Sequence, residues 1–356
     1  MQSIPLDSVA AMLDGHIDCV HEKGSLQPVR YRLADAPFLD PGVIKSATFP
    51  GGLRLRLTTN SRTIRLEVQQ TLATIPGREW WTADYELHID GKFDRRVSPI
   101  GGAQIFVGGA VTGDPRAILT VDDLPPGEKN IELWLPHVAI TAITALYIDD
   151  GASLSAWPDT RPRILFHGSS ITQAADAESG TLTWPGVASA KANLRHLNLG
   201  WAGSCLISGF AGRLLRDEPA DAIALELGAN IWENGLLKER TFTDCTQALL
   251  TIIREKHTVT PIVIVSPIAF AQGDDATNGF GISLGRMREL LDGVVSTRKA
   301  AGDANMHYLS GISLSGRTDL SDLPDGIHPN AKGNRIIGER FFEHMLAPGK
   351  PLAPPR

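Results

Sequence analysis

The hydrophobic period changes once along this chain, and that change bounds its fold more tightly than any motif. From about Gly42 to Asp150, apolar and polar residues alternate with period two, the mark of half-buried strands. L-R-L-R-L-T-T (Leu53 to Thr59) and T-I-R-L-E-V-Q (Thr63 to Gln69) alternate cleanly, and the N-S-R between them predicts a hairpin. Further strands are expected at Tyr85 to Asp90, Ala103 to Val107, Arg116 to Val121, Asn130 to Leu135 and Ile143 to Ile148. D-G-K and P-P-G-E-K supply turn chemistry between them. Many short strands with almost no helix predict a β-sandwich of jelly-roll type.

After Gly151 to Arg163, which reads as a linker, the pattern changes to short apolar strands separated by helical stretches. The strands are I-L-F-H, His196 to Gly200, Ala222 to Leu227, Pro261 to Ser266 and Met306 to Ser310. The helices are expected at Asp244 to Lys256, Leu284 to Ala300 and Ala331 to Leu346. Such alternation predicts an α/β unit, a doubly wound, flavodoxin-like parallel sheet with helices on both faces. A chain of 356 residues exceeds what one core usually serves. The expected domains are therefore 1–155, the sandwich, and 156–356, the α/β unit.

Charge narrows the partners. The net charge of -6 leaves no basic excess to neutralise phosphates, so neither nucleic acid nor an anionic membrane is an expected partner. Cys19, Cys205 and Cys245 are widely spaced and form no C-x-x-C pair, which fits buried free thiols in a reducing compartment. The N-terminus lacks a basic start followed by an apolar run, so it does not read as a signal peptide. A cytoplasmic location follows as the expectation, and a homo-oligomer stays open.

Small and polar residues gather just after the strands of the second half. Strand one runs into Gly168-Ser169-Ser170, the second into W-A-G-S with Gly203, and the third into L-G-A-N with Asn230; L-P-D-G-I-H-P-N near the C-terminus holds Asp325 and His328. In a doubly wound sheet these ends meet along one edge. Singly, each residue has a plainer role. Ser170 reads as a helix cap, Gly203 as a turn, Asn230 as a cap, and Asp325 and His328 as loop residues. Together, in this order, they are the parts of acyl transfer: nucleophile, base, orienting acid and oxyanion donors.

These segments resemble the four blocks of the SGNH/GDSL hydrolase family. Ser170 in H-G-S-S-I-T-Q matches the nucleophile of block one, Gly203 the glycine of block two, Asn230 the asparagine of block three, and Asp325 and His328 the D-x-x-H. The resemblance spans Arg163 to about Leu346, and Y-E-L-H-I-D-G-K and I-E-L-W-L-P resemble the small β-sandwich in front of some members. Two departures stand out: block one reads G-S-S rather than G-D-S, placing Ser169 where an aspartate is usual, and Ile231 replaces an acidic residue after Asn230.

The resemblance implies a serine esterase with a Ser170-His328-Asp325 triad, an oxyanion hole from Ser170, Gly203 and Asn230, and no metal or other cofactor. It also favours a small-molecule ester, a short acyl group on a sugar or another polyhydroxylated compound. A non-sugar ester or lactone is the alternative, with the sandwich as a glycan- or subunit-binding module a third. Trp201 and Trp232 follow the oxyanion-hole strands and are candidates both for substrate binding and for core packing. G-I-S-L-G (Gly281 to Gly285) is a literal nucleophile-elbow motif, but D-D-A-T-N-G-F precedes it instead of a strand, so Ser283 is expected to open a helix.

Overall fold

A computed structural model describes residues 1–106 and 109–354. Val107, the end of one expected strand, lies outside the described residues. The chain divides into two units. One comprises Met1–Ala36, Ala47–Thr160 and Glu178–Thr181; the other comprises Pro37–Ser46, Arg161–Ala177 and Leu182–Arg356.

In the first unit the period-two segments form two sheets. Ile64–Thr74 is central to one, paired antiparallel with Arg116–Val121 and with Ala139–Ile148, and parallel with Ala103–Phe106. In the other, Lys129–Trp134 lies between Arg54–Thr59 and Tyr85–Ile89. Alternation does the work expected of it. In Arg116–Val121 every second residue is buried, and Leu55, Leu57, Leu66, Val68, Leu87, Leu119, Ile131, Leu133 and Leu146 meet in one core.

The hairpin expected around N-S-R does not form. Arg54–Thr59 and Ile64–Thr74 belong to different sheets, so Asn60–Arg62 is an arch that crosses between them. Asp149 holds it open: its Oδ2 accepts from Arg62 N at 2.7 Å, Thr63 N at 3.1 Å and Ser61 Oγ at 3.0 Å. Gly151 to Arg163 is also more than a linker. Leu154–Ala156 pairs with Arg54–Thr59, and Asp159 takes the guanidinium groups of both Arg54 and Arg56, which stack on Trp134 and Trp157.

The second unit is built on five parallel strands among the described residues: β1 (Arg163–Gly168), β2 (Arg195–Gly200), β3 (Ala222–Glu226), β4 (Ile262–Val265) and β5 (Met306–Leu309). Their order is 2-1-3-4-5. That order is flavodoxin-like, and it places the topological switch at the carboxyl ends of β1 and β3. Its α-helices beyond Arg161 are α1 (Ser170–Gln173), α2 (Trp184–Lys191), α3 (Gly209–Asp217), α4 (Ala229–Glu233), α5 (Glu239–Arg254), α6 (Leu284–Ala300) and α7 (Ala331–Phe341). α5 begins five residues before its expected start at Asp244. Fully buried Phe242 anchors this first turn, and packing there overrides the modest helix propensity of R-T-F-T.

Candidate active site

β1 is buried along almost its whole length and ends at Gly168, where nothing larger fits. A Cβ there would stand 2.6 Å from Glu226 Oε2 and would collide with Thr172 Oγ1. Ser169 then adopts extended backbone and caps α1, its Oγ accepting from Ile171 N at 3.1 Å. Ser170 follows as the first residue of that one-turn helix, where a backbone N–H has no intrahelical acceptor.

Ser170 Oγ lies 2.7 Å from His328 Nε2, and His328 Nδ1 lies 2.8 Å from Asp325 Oδ2. Asp325 is fixed by its own loop, since its Oδ1 accepts from Ile327 N at 3.1 Å and His328 N at 2.8 Å. Partial burial raises the Asp325 carboxyl, but the His328 N–H, the imidazole and the Ile327 N–H outweigh it and hold the group below the usual carboxylate range. Serine, imidazole and carboxylate thus form a continuous relay from the start of α1 and a loop 158 residues later.

Gly203 and Asn230 are the two further residues expected as oxyanion donors. Gly203 has φ +69°, a left-handed conformation that glycine adopts without strain, and no heavy atom stands within 4 Å of where its Cβ would be. The preceding Ala202 N–H is fixed by Ser46 Oγ at 2.6 Å and Gln173 Oε1 at 3.0 Å. Asn230, only 1% exposed, uses Oδ1 to accept from Cys205 N at 3.1 Å, while its Nδ2 has no partner among the described residues. A buried amide whose oxygen is tied and whose hydrogens are unused is a donor held ready.

Trp201 and Trp232 are core-packed. Trp201, 2% exposed, meets His167 edge-on at 4.9 Å; Trp232, 8% exposed, meets Phe270 at 5.7 Å and donates Nε1–H to Ala276 O. Ser283 caps α6 by accepting from Arg286 N at 3.1 Å, so the literal elbow motif is a helix start. Among the described residues no group of three or more His, Cys, Asp or Glu could hold a metal ion.

Glu226 escaped the sequence reading. It ends β3, is 3% exposed, and its Oε2 accepts from Ser169 N at 2.7 Å, Ser169 Oγ at 2.6 Å and Thr172 Oγ1 at 3.2 Å. The available signal was a single acid in the otherwise apolar A-I-A-L-E-L. Ser46 also went unread, because no local pattern links it to the Ala202 turn 156 residues away.

Several solved structures resemble this chain. Salicylyl-acyltransferase SsfX3 from a tetracycline biosynthetic pathway is 28% identical over 92% of each chain, with a TM-score of 0.81. A protein described as a GDSL-like lipase from Bacteroides ovatus is 22% identical over 96% of this chain and 95% of its own, with a TM-score of 0.71. A family two carbohydrate esterase from Cellvibrio japonicus shares the fold at 12% identity and a TM-score of 0.60, over 96% of each chain. No curated protein sequence matches. The model of the GDSL-like lipase/acylhydrolase family matches residues 161–345, more than half of the chain. With its α/β catalytic fold and preceding β-sandwich, the chain belongs to this SGNH family of carboxylic ester hydrolases.

Proposed function

We propose that the chain is a serine esterase working through Ser170, His328 and Asp325, and that it removes a short acyl group, acetyl in the first instance, from a sugar or other polyhydroxylated small molecule. The observation that carries the reading is the unbroken relay from Ser170 Oγ to His328 to Asp325. Ser170 Oγ adds to the ester carbonyl as its proton passes to His328 Nε2. The oxyanion receives hydrogen bonds from Ser170 N, Gly203 N and Asn230 Nδ2. Collapse of the adduct breaks the bond to the alcohol, which leaves with the proton from His328. Water then repeats the sequence on the acyl-serine, releasing acid and serine. Asp325 keeps the imidazole in the tautomer that accepts at Nε2 and offsets its charge once protonated.

A second reading keeps the same residues but changes the acyl partner. SsfX3, a salicylyl-acyltransferase, is 28% identical along nearly the whole chain, whereas the carbohydrate esterase shares only the fold. That favours a non-sugar natural-product ester, with a hydroxyl of the acceptor in place of water in the second step. A panel of acetylated sugars, aryl esters and lactones, assayed with and without an added alcohol, separates the two. Preference for acetylated sugars with free acid as product supports the first reading, and aryl-ester preference with transfer to the alcohol supports the second. In either case Ser170→Ala should abolish turnover and fluorophosphonate labelling while Ser283→Ala retains both. Losing a triad member costs several orders of magnitude, leaving about 10³–10⁴-fold over water.

A further inference from the structure

We propose that Glu226 is a positioning residue for the nucleophile, gathering the Ser169–Thr172 turn onto the end of β3 so that Ser170 is presented to His328; this rests on Ser170 being the nucleophile. Glu226 touches no reacting atom. Three donors converge on its Oε2, two from Ser169 and one from Thr172, the residues that flank Ser170 in the turn. Its other oxygen, Oε1, is buried with no hydrogen-bond partner among the described residues. A carboxyl group whose two oxygens are so unequally served is a poor way to stabilise a core, since the unserved oxygen carries an uncompensated desolvation cost. It is a good way to fix one turn from a neighbouring strand.

Two sequence features follow. Position 168 must be glycine, because a Cβ there would collide with Glu226 Cβ and Thr172 Oγ1. Position 169 must carry a small hydroxyl. Ser169 Oγ accepts from Ile171 N and donates to Glu226, whereas an aspartate would set a second carboxyl group against the first. The serine that stands where the family usually has aspartate and the glutamate of the apolar strand thus meet directly in this chain.

The test uses the full chain, 4-nitrophenyl acetate as substrate, the rate of fluorophosphonate labelling at Ser170, and melting temperature. Glu226→Ala should lower kcat and labelling by about 10²-fold with little change in KM, as a misplacement of about 1 Å would. Glu226→Gln keeps an oxygen for the three donors and should recover most of that loss. Ser169→Asp should be impaired beside Glu226 and at least about tenfold more active when combined with Glu226→Gln, the sign of coupled neighbours. This pair decides the matter if Glu226→Ala does not fold. Glu226→Ala turning over at the wild-type rate, or Ser169→Asp equally impaired with either partner, overturns the proposal. Ser170→Ala is the control: if it keeps labelling and hydrolysis, the serine reading has failed, whereas an inert Ser170→Ala beside a fully active Glu226→Ala refutes only the role of Glu226.

Discussion

At the scale of single residues, the proposed active site holds a buried donor that its neighbours leave unused. Asn230 spends its oxygen on Cys205 N and leaves its amide hydrogens without a partner. Asn230→Ala should therefore lower kcat by about 10²–10³ with a small effect on KM, because the oxyanion exists only near the transition state. A variant that melts early yet turns over normally would make Asn230 a mere cap. Asp325 differs: its Oδ1 accepts from Ile327 N and His328 N, and its Oδ2 faces His328 Nδ1. Since its carboxyl is held below the usual range, it stays ionised through the mildly acid pH at which other carboxylates protonate. Asp325→Asn should cost about 10⁴ in kcat at neutral pH, through the wrong imidazole tautomer, in a steady-state assay. Glu226 carries the opposite shift. Burial pushes its carboxyl from 4.5 up to about 7, against the Ser169 and Thr172 hydrogen bonds and the His328 charge. A raised acid makes the folded chain hold its proton longer than the unfolded one. Its contribution is therefore most favourable below 4.5 and is lost as pH rises to about 7. Glu226→Gln should accordingly melt higher relative to wild type at about pH 8 than at about pH 5, by calorimetry. A pH-independent difference would mean that the group does not titrate in this range.

Among elements, periodicity reports which face is buried and is silent about which neighbour is paired. The five strands of the parallel sheet were legible to within about a residue, because each is a short apolar run punctuated by glycine, serine or asparagine. So was α6, whose limits Leu284–Ala300 coincide with the reading. The Asn60–Arg62 arch was not. Hairpin and arch share the same alternation on both sides, and the carboxylate that ties the arch is Asp149, nearly ninety residues away. The site shows the same division. Ser170, Gly203 and Asn230 each follow a recognisable strand end, and Asp325 and His328 share a recognisable D-x-x-H, whereas Glu226 and Ser46 are defined by long-range bonds that leave little or no local trace. Ser283 separates motif from element. It satisfies the elbow pattern but caps α6, so Ser283→Ala should cost about 1 kcal/mol in denaturant unfolding and leave kcat intact.

For the whole molecule, the order in which the chain visits its two units matters more than where one boundary is drawn. The catalytic unit includes Pro37–Ser46, and the sandwich unit includes Glu178–Thr181. Within the catalytic unit Ser46 Oγ donates to Gln173 Oε1 at 2.6 Å and accepts from Ala202 N, next to Gly203. Residues 156–356 expressed alone lack this hydroxyl. Exposing that buried pair costs about 1–3 kcal/mol, so the fragment should melt earlier and turn over 4-nitrophenyl acetate more slowly than the full chain. A fragment matching the full chain in both would make the segment dispensable. The same interleaving sets a schedule during synthesis. Ser46 leaves the ribosome 127 residues ahead of Gln173. At about 5–20 residues per second that is a delay of about 6–25 s, during which the segment cannot be seated. Buried Val43 has to wait in water meanwhile, as most of the sandwich strands emerge behind it. The nascent chain is therefore committed to carrying a piece of its own active-site support, unpaired, past the birth of an entire second core.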